Sequence, residues 1–113
     1  MKYMLLIYLE EKAWASQTEP QRQEIYREYR ELIEELTRDG KFLMGDQLQP
    51  STTANSVKVR EHKTLITDGP FAETREQLGG YYLVDAKDLD EAIGLAERLP
   101  SAKLGTIEIR PLA

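Results

Sequence analysis

A chain of 113 residues, 41% hydrophobic and 31% charged, has the length and composition of one folded domain, and its apolar residues are patterned rather than sparse, which argues against disorder. Its 15 basic and 20 acidic residues give a formal charge of −5 with the basic ones scattered, which argues against nucleic acid or an anionic membrane surface as the main partner. The absence of cysteine removes disulfides, a thiol nucleophile and thiolate metal sites, and the apolar run Met4 to Leu9 is too short for a signal peptide or a membrane span. The expectation is a single domain, residues 1–113, in the cytoplasm.

Lys2 to Leu9 reads as a strand apolar on both faces, because Tyr3, Leu5, Ile7 and Leu9 alternate with Met4, Leu6 and Tyr8. It is therefore expected in the middle of a sheet. A polar connection holding Trp14 leads to Thr18, Glu19, Pro20 and Gln21, a capping-box spacing with proline tolerated in the first turn. Ile25, Tyr29, Leu32, Ile33 and Leu36 then share one helical stripe, and Gly40 marks the stop. Phe42 to Leu48 reads as a second strand, interrupted by Gly45 and Asp46 and ended by Pro50.

Val57 and Val59, then Leu65 and Ile66 beyond a Glu61, His62, Lys63 connection, predict a hairpin with one polar face. Gly80 to Val84 is again apolar on both sides. Asp88 to Glu91 caps a second helix with Leu89, Ala92, Ile93 and Ala96 on its inner stripe, ended by Pro100. Thr106 to Arg110 alternates, Ile107 and Ile109 on one face, Glu108 and Arg110 on the other. This order predicts an α+β fold, a ferredoxin-like antiparallel sheet with two helices on one face. Two helices leave the other face of two-sided strands uncovered, so a homodimer packed sheet to sheet is expected, with a pocket between the sheets.

The run TDGPFAETREQLGGYYLVDAKDLDEA, with KYMLLIY before it and GTIEIRPL after it, resembles the YCII-related domain family in its DGPF subgroup, named for the motif present here as Asp68, Gly69, Pro70 and Phe71. The resemblance covers nearly the whole chain and implies a dimeric α+β barrel of ferredoxin-like protomers. In the wider family the proposed active site pairs a His on the first helix with an Asp near the end of the second. Here Tyr29 holds the first position and the second falls near Leu99, so that pair is not carried over. Similar domains are associated with extracytoplasmic-function sigma factors, and related dimeric barrels include cofactor-free oxygenases.

Candidate groups follow from chemistry. Asp68, before Gly69 and Pro70, is either a turn residue accepting backbone N–H bonds or a general base beside the inter-sheet pocket. Glu73 and Arg75 form a solvated ion pair or hold a polar substrate group. Phe71 is a core or interface plug or a ligand platform. Tyr29 is a packed core tyrosine or a hydrogen-bonding acid, and Asp46 a bulge residue or a second pocket carboxylate. Tyr81 and Tyr82 point to opposite faces; Tyr82 and Arg110 are the pocket candidates. His62, the only histidine, reads as exposed and silent.

No nucleophile elbow, phosphate loop, HExxH spacing or Rossmann glycine pattern is present, so no flavin, nicotinamide, nucleotide or tightly held metal is expected. The leading functional expectation is a small cofactor-independent lyase or isomerase, with Asp68 as acid/base and Glu73, Tyr29 and Arg110 assisting on a small polar or aromatic molecule. The alternative is a non-catalytic ligand-binding or regulatory interaction module, and a cofactor-free oxygenase is a third option.

Overall fold

The computed structural model describes residues 1–113. In chain order the elements are β1 (Lys2–Leu9), α1 (Glu11–Ala15), α2 (Glu19–Arg38), β2 (Phe42–Gln47), β3 (Asn55–Arg60), β4 (Lys63–Asp68), β5 (Gln77–Asp85), α3 (Leu89–Arg98) and β6 (Thr106–Pro111), with 3₁₀ turns at Ser51–Thr53 and Pro100–Lys103. Four strands form one antiparallel sheet in the order β2-β5-β1-β6. The two strands whose sequence is apolar on both faces are thus its central pair. The strand order and the two crossover helices match the ferredoxin-like arrangement, with β3 and β4 inserted as a separate hairpin.

One face of the sheet carries the core. Tyr3, Leu5 and Ile7 of β1 and Tyr82 and Val84 of β5 pack with Leu32 and Leu36 of α2 and with Ala92, Leu95 and Ala96 of α3 in a single cluster. Both long helices therefore cover the same face. On the other face Met4, Leu6, Tyr8, Tyr81 and Leu83 remain partly exposed, and register sets Glu108 opposite Leu6 and Arg110 opposite Met4.

Local chemistry sets the helix ends. Thr18 Oγ1 accepts from the Gln21 N–H and Gln21 Oε1 accepts from the Thr18 N–H, the reciprocal cap expected from the spacing. Gly40 follows α2 at φ 70°, where other residues are disfavoured. Asp88 caps α3 by accepting from the Glu91 N–H at 2.9 Å. The inner stripe of α3 is Ala92, Leu95 and Ala96, whereas the expected Leu89 and Ile93 are exposed. Both series satisfy helical spacing, and the alanines allow the closer approach to the sheet.

Three expectations change. The polar connection around Trp14 contains α1, whose five residues are too few to reveal a period. Strand β2 ends at Gln47, and its irregularity lies between Phe42 and Met44 rather than at Asp46. The β3–β4 turn consists of Glu61 and His62 alone, both at positive φ (51° and 65°), while Lys63 already pairs with Arg60. A two-residue turn of that hand matches the twist of its strands. Along the hairpin Val57, Val59 and Ile66 share one face, all exposed.

Candidate functional site

Glycines open the space in which the candidate site forms. The register between β1 and β5 slips after Ile7, so Gly79 and Gly80 lie beside Ile7 with no side chains above the sheet. A cavity of about 340 Å³ occupies this space, between the helix-covered face of the sheet, α1, the first turns of α2 and the Gln47–Pro50 segment. Its size is at the lower end for small-molecule pockets. Gly45 on β2 serves the same site differently: a Cβ there would stand 2.2 Å from Cδ1 of Tyr82, so only glycine leaves room for that ring.

Aromatic rings form much of the wall. Tyr82 meets Tyr29 edge-on at 5.7 Å between ring centroids and 90°, and Phe42 supports it from behind at 5.3 Å and 89°. Trp14 and Tyr26 make a second edge-on pair at 5.7 Å and 69°. Such pairs add about 0.5–1.5 kcal/mol each beyond the area they bury, and they hold the rings in fixed orientations around the cavity.

The polar groups are placed by hydrogen bonds. The Tyr29 hydroxyl donates to Ser101 Oγ at 2.5 Å and accepts from the Ser101 N–H at 3.3 Å. The 3₁₀ turn after α3 carries Ser101, which is only 3% exposed. Its own hydroxyl proton is left for a ligand atom. On the α1 side the Glu11 carboxylate accepts from both the N–H and the hydroxyl of Ser51, at 2.7 and 2.9 Å. The Glu11 N–H donates to Gln77 Oε1 at 2.9 Å, and Gln77 Nε2 donates to the Thr74 carbonyl at 2.6 Å. These bonds tie α1 to the start of β5 and to the segment after β2.

Burial pushes the Tyr29 phenol above its ordinary value, and the bonds to Ser101 offset part of that rise. Burial raises Tyr82 further, assisted by the neighbouring Tyr29 and by Asp46. Both hydroxyls are protonated at neutral pH, so they act as hydrogen-bonding groups and not as bases.

Of the residues singled out in the sequence, Tyr29, Tyr82 and Asp46 border this cavity. Tyr82 lies on the helix-covered face at 7% exposure, so Tyr81, not Tyr82, faces the open side. Asp46 pairs in register with Tyr81, and its Oδ1 accepts from the Gln47 N–H at 3.0 Å. The others stand elsewhere. Asp68 ends β4 and accepts from Asn55 Nδ2 across the hairpin at 2.9 Å, in place of the expected turn N–H groups. Beside it Gly69, at φ 95°, donates to the Ala54 carbonyl.

Phe71 is 85% exposed, so the core plug expected there is absent within one chain. Glu73 is exposed, and Arg75 approaches Glu10 at 3.8 Å instead of pairing with Glu73. Arg110 lies on the open sheet face, 3.9 Å from Glu108. The structure therefore brings Tyr29, Tyr82 and Asp46 together and leaves Asp68, Phe71, Glu73, Arg75 and Arg110 apart from them. No three His, Cys, Asp or Glu side chains are grouped to hold a metal, and no helix is long and apolar enough to cross a membrane.

Trp14, Tyr26, Ser101, Glu11 and the Gly79–Gly80 pair are the site residues that sequence reasoning passed over. One signal was available: a lone tryptophan in an otherwise polar connection needs apolar cover.

The YCII-related domain profile matches residues 1–113. An uncharacterized protein of Rhizobium meliloti (strain 1021) is 35% identical over 115 residues, covering 100% of this chain and 93% of that one. The chain belongs to the YCII-related domain family.

Proposed function

We propose that this YCII-related domain is a binding module for a small, flat, largely apolar molecule, held in the cavity between its sheet and α2. One observation carries the reading: the cavity has edge-packed aromatic walls and a Tyr29–Ser101 hydroxyl pair with one proton to spare, and burial holds the Tyr29 and Tyr82 phenols protonated. Asp68, the proton-transfer candidate, is bonded to Asn55 on the hairpin, away from this space. Hydrogen bonding, apolar contact and carboxylate charge are the chemistry the lining offers.

The test uses Trp14, the only tryptophan, as its own reporter. Naphthalenemethanol titrated into the protein is expected to change Trp14 emission saturably, with the same affinity in Asp68→Asn. No saturable change up to millimolar probe overturns the reading. Turnover of a probe that Asp68→Asn abolishes returns the catalytic one.

The proposal includes a homodimer through the open sheet faces, within the DGPF-type barrel arrangement the sequence resembles. Support comes from the shape of one chain. Its accessible surface is 8038 Å², whereas a compact monomer of this mass exposes about 6,300 Å². Its radius of gyration is 15.9 Å, against about 13 Å for a compact domain of this length. The excess, about 1,700 Å² on one chain, is more than the about 800 Å² per partner that a standard interface covers, and Met4, Leu6, Leu83 and the hairpin's Val57 and Ile66 are the apolar surface available to it. A monomer mass in sedimentation at micromolar concentration overturns the dimer.

A further inference from the structure

We propose that the cavity selects its occupant by charge, accepting neutral and cationic aromatic molecules, amine-bearing ones most tightly, and rejecting aromatic carboxylates and phosphates. The inference rests on the binding reading above and adds to it the ligand class. Its basis is the composition of the lining, which holds two carboxylates, Glu11 and Asp46, four aromatic rings, and not one lysine, arginine or histidine.

Each part of that lining acts in the same direction. The faces of Trp14, Tyr26, Tyr29 and Tyr82 are the negative poles of their π systems and attract a cation, most strongly where water is excluded. Glu11 is held in place by two hydrogen bonds from Ser51 and keeps free lone pairs on both oxygens. Asp46, on the edge strand in register with Tyr81, borders the cavity at its rim, with one oxygen bonded to the Gln47 N–H.

An anion would find little to replace its hydration. Gln77 Nε2 donates to the Thr74 and Arg75 carbonyls at 2.6 and 3.3 Å, Gln47 Nε2 has one hydrogen on the Tyr26 hydroxyl at 3.4 Å, and the Tyr29 proton is on Ser101. The donors that remain, the hydroxyls of Ser101, Tyr26 and Tyr82 and the Trp14 indole N–H, are all neutral. A buried carboxylate with neutral donors alone, no cationic side chain and carboxylates for neighbours is left under-compensated. A neutral acceptor such as a carbonyl or alcohol, by contrast, is matched by any one of those donors.

The test is calorimetry on the full chain with three probes that share one ring system: naphthylmethylamine, naphthalenemethanol and naphthoate. Physiological ionic strength screens the long-range part of the chain's net charge of −5. The expected order is amine, then alcohol, then acid, with about tenfold or more between amine and acid. Asp46→Asn, at an exposed position, is expected to narrow that ratio severalfold. Glu11→Gln provides an independent second variant.

Naphthoate binding as tightly as the amine overturns the charge selection and leaves the binding reading intact. A ratio unmoved in both variants overturns the assignment to the two carboxylates. If none of the three probes binds, the binding reading fails and this inference fails with it.

Discussion

The hydroxyls of Tyr29 and Ser101 lie 2.5 Å apart although 72 positions separate them in the chain, and the Ser101 N–H donates back to the same phenol oxygen. One side chain of α2 thus satisfies two polar groups of the 3₁₀ turn after α3. Tyr29→Phe removes the acceptor of a buried backbone N–H and the donor to Ser101 at once. The expected loss in stability is about 1–2 kcal/mol, read from urea unfolding. Ser101→Ala is expected to cost less, because the backbone bond survives. The double variant should fall short of the sum of the two. Strict additivity would show that the pair is not coupled.

Alanine at two glycines should act with opposite signs. At Gly45 an added Cβ would meet Tyr82 Cδ1 at 2.2 Å and the Tyr81 carbonyl oxygen at 2.6 Å, and the backbone atom cannot swing aside. Gly45→Ala is expected to cost about 2 kcal/mol or more and to weaken probe binding by displacing Tyr82. At Gly94, inside α3, nothing lies within 4 Å of the position a Cβ would take. Gly94→Ala is expected to stabilise by about 0.5–1 kcal/mol, through helix propensity and a more restricted unfolded chain. Thermal unfolding of the two variants side by side checks both signs.

Much of the scaffold is legible in the sequence because it is encoded locally. The two-sided apolar runs at Lys2–Leu9 and Gly80–Val84 mark the central strands, and the Thr18–Gln21 spacing marks the start of α2. The cavity is less legible because it depends on pairings that no local period records. That Gly80 lies opposite Ile7, or that Ser101 returns to Tyr29, follows from register and from a 3₁₀ turn. Asp68 drew attention through its turn chemistry, yet its partner Asn55 lies across the hairpin, thirteen positions away, where a single-strand reading does not look. Trp14 sits in a helix too short to announce itself.

Alkaline pH should weaken the fold through its two buried phenols. Tyr29 and Tyr82 both have folded-state values raised above the ordinary 10.0, by burial first in each case. Below that ordinary value both states hold these protons, and the protonated phenols contribute their full stability. From about pH 10 upward the unfolded chain releases the protons while the native chain keeps them, so stability falls with rising pH. Urea unfolding at pH 8 and at pH 11 is expected to show the loss, and Tyr29→Phe with Tyr82→Phe should flatten it. An ultraviolet titration should find at least two of the six tyrosines ionising late. All six ionising together near pH 10 would contradict the burial of this pair.

Leu6 offers the sharpest test of what covers the open sheet face. It lies on the central strand β1, between Tyr81 of β5 and Glu108 of β6, on the side away from both long helices. In a single chain, Leu6→Lys brings an ammonium opposite the Glu108 carboxylate, a cross-strand pair worth about 0.2–1 kcal/mol in its favour. The protomer's core, on the other face, is untouched. In a dimer joined through these faces the same lysine would be buried in an apolar contact with its water removed. Leu6→Lys is therefore expected to halve the sedimentation mass while the circular dichroism spectrum stays native. A mass unchanged from the parent protein would place the contact between copies elsewhere, the exposed Val57, Val59 and Ile66 face of the hairpin being the next surface to substitute.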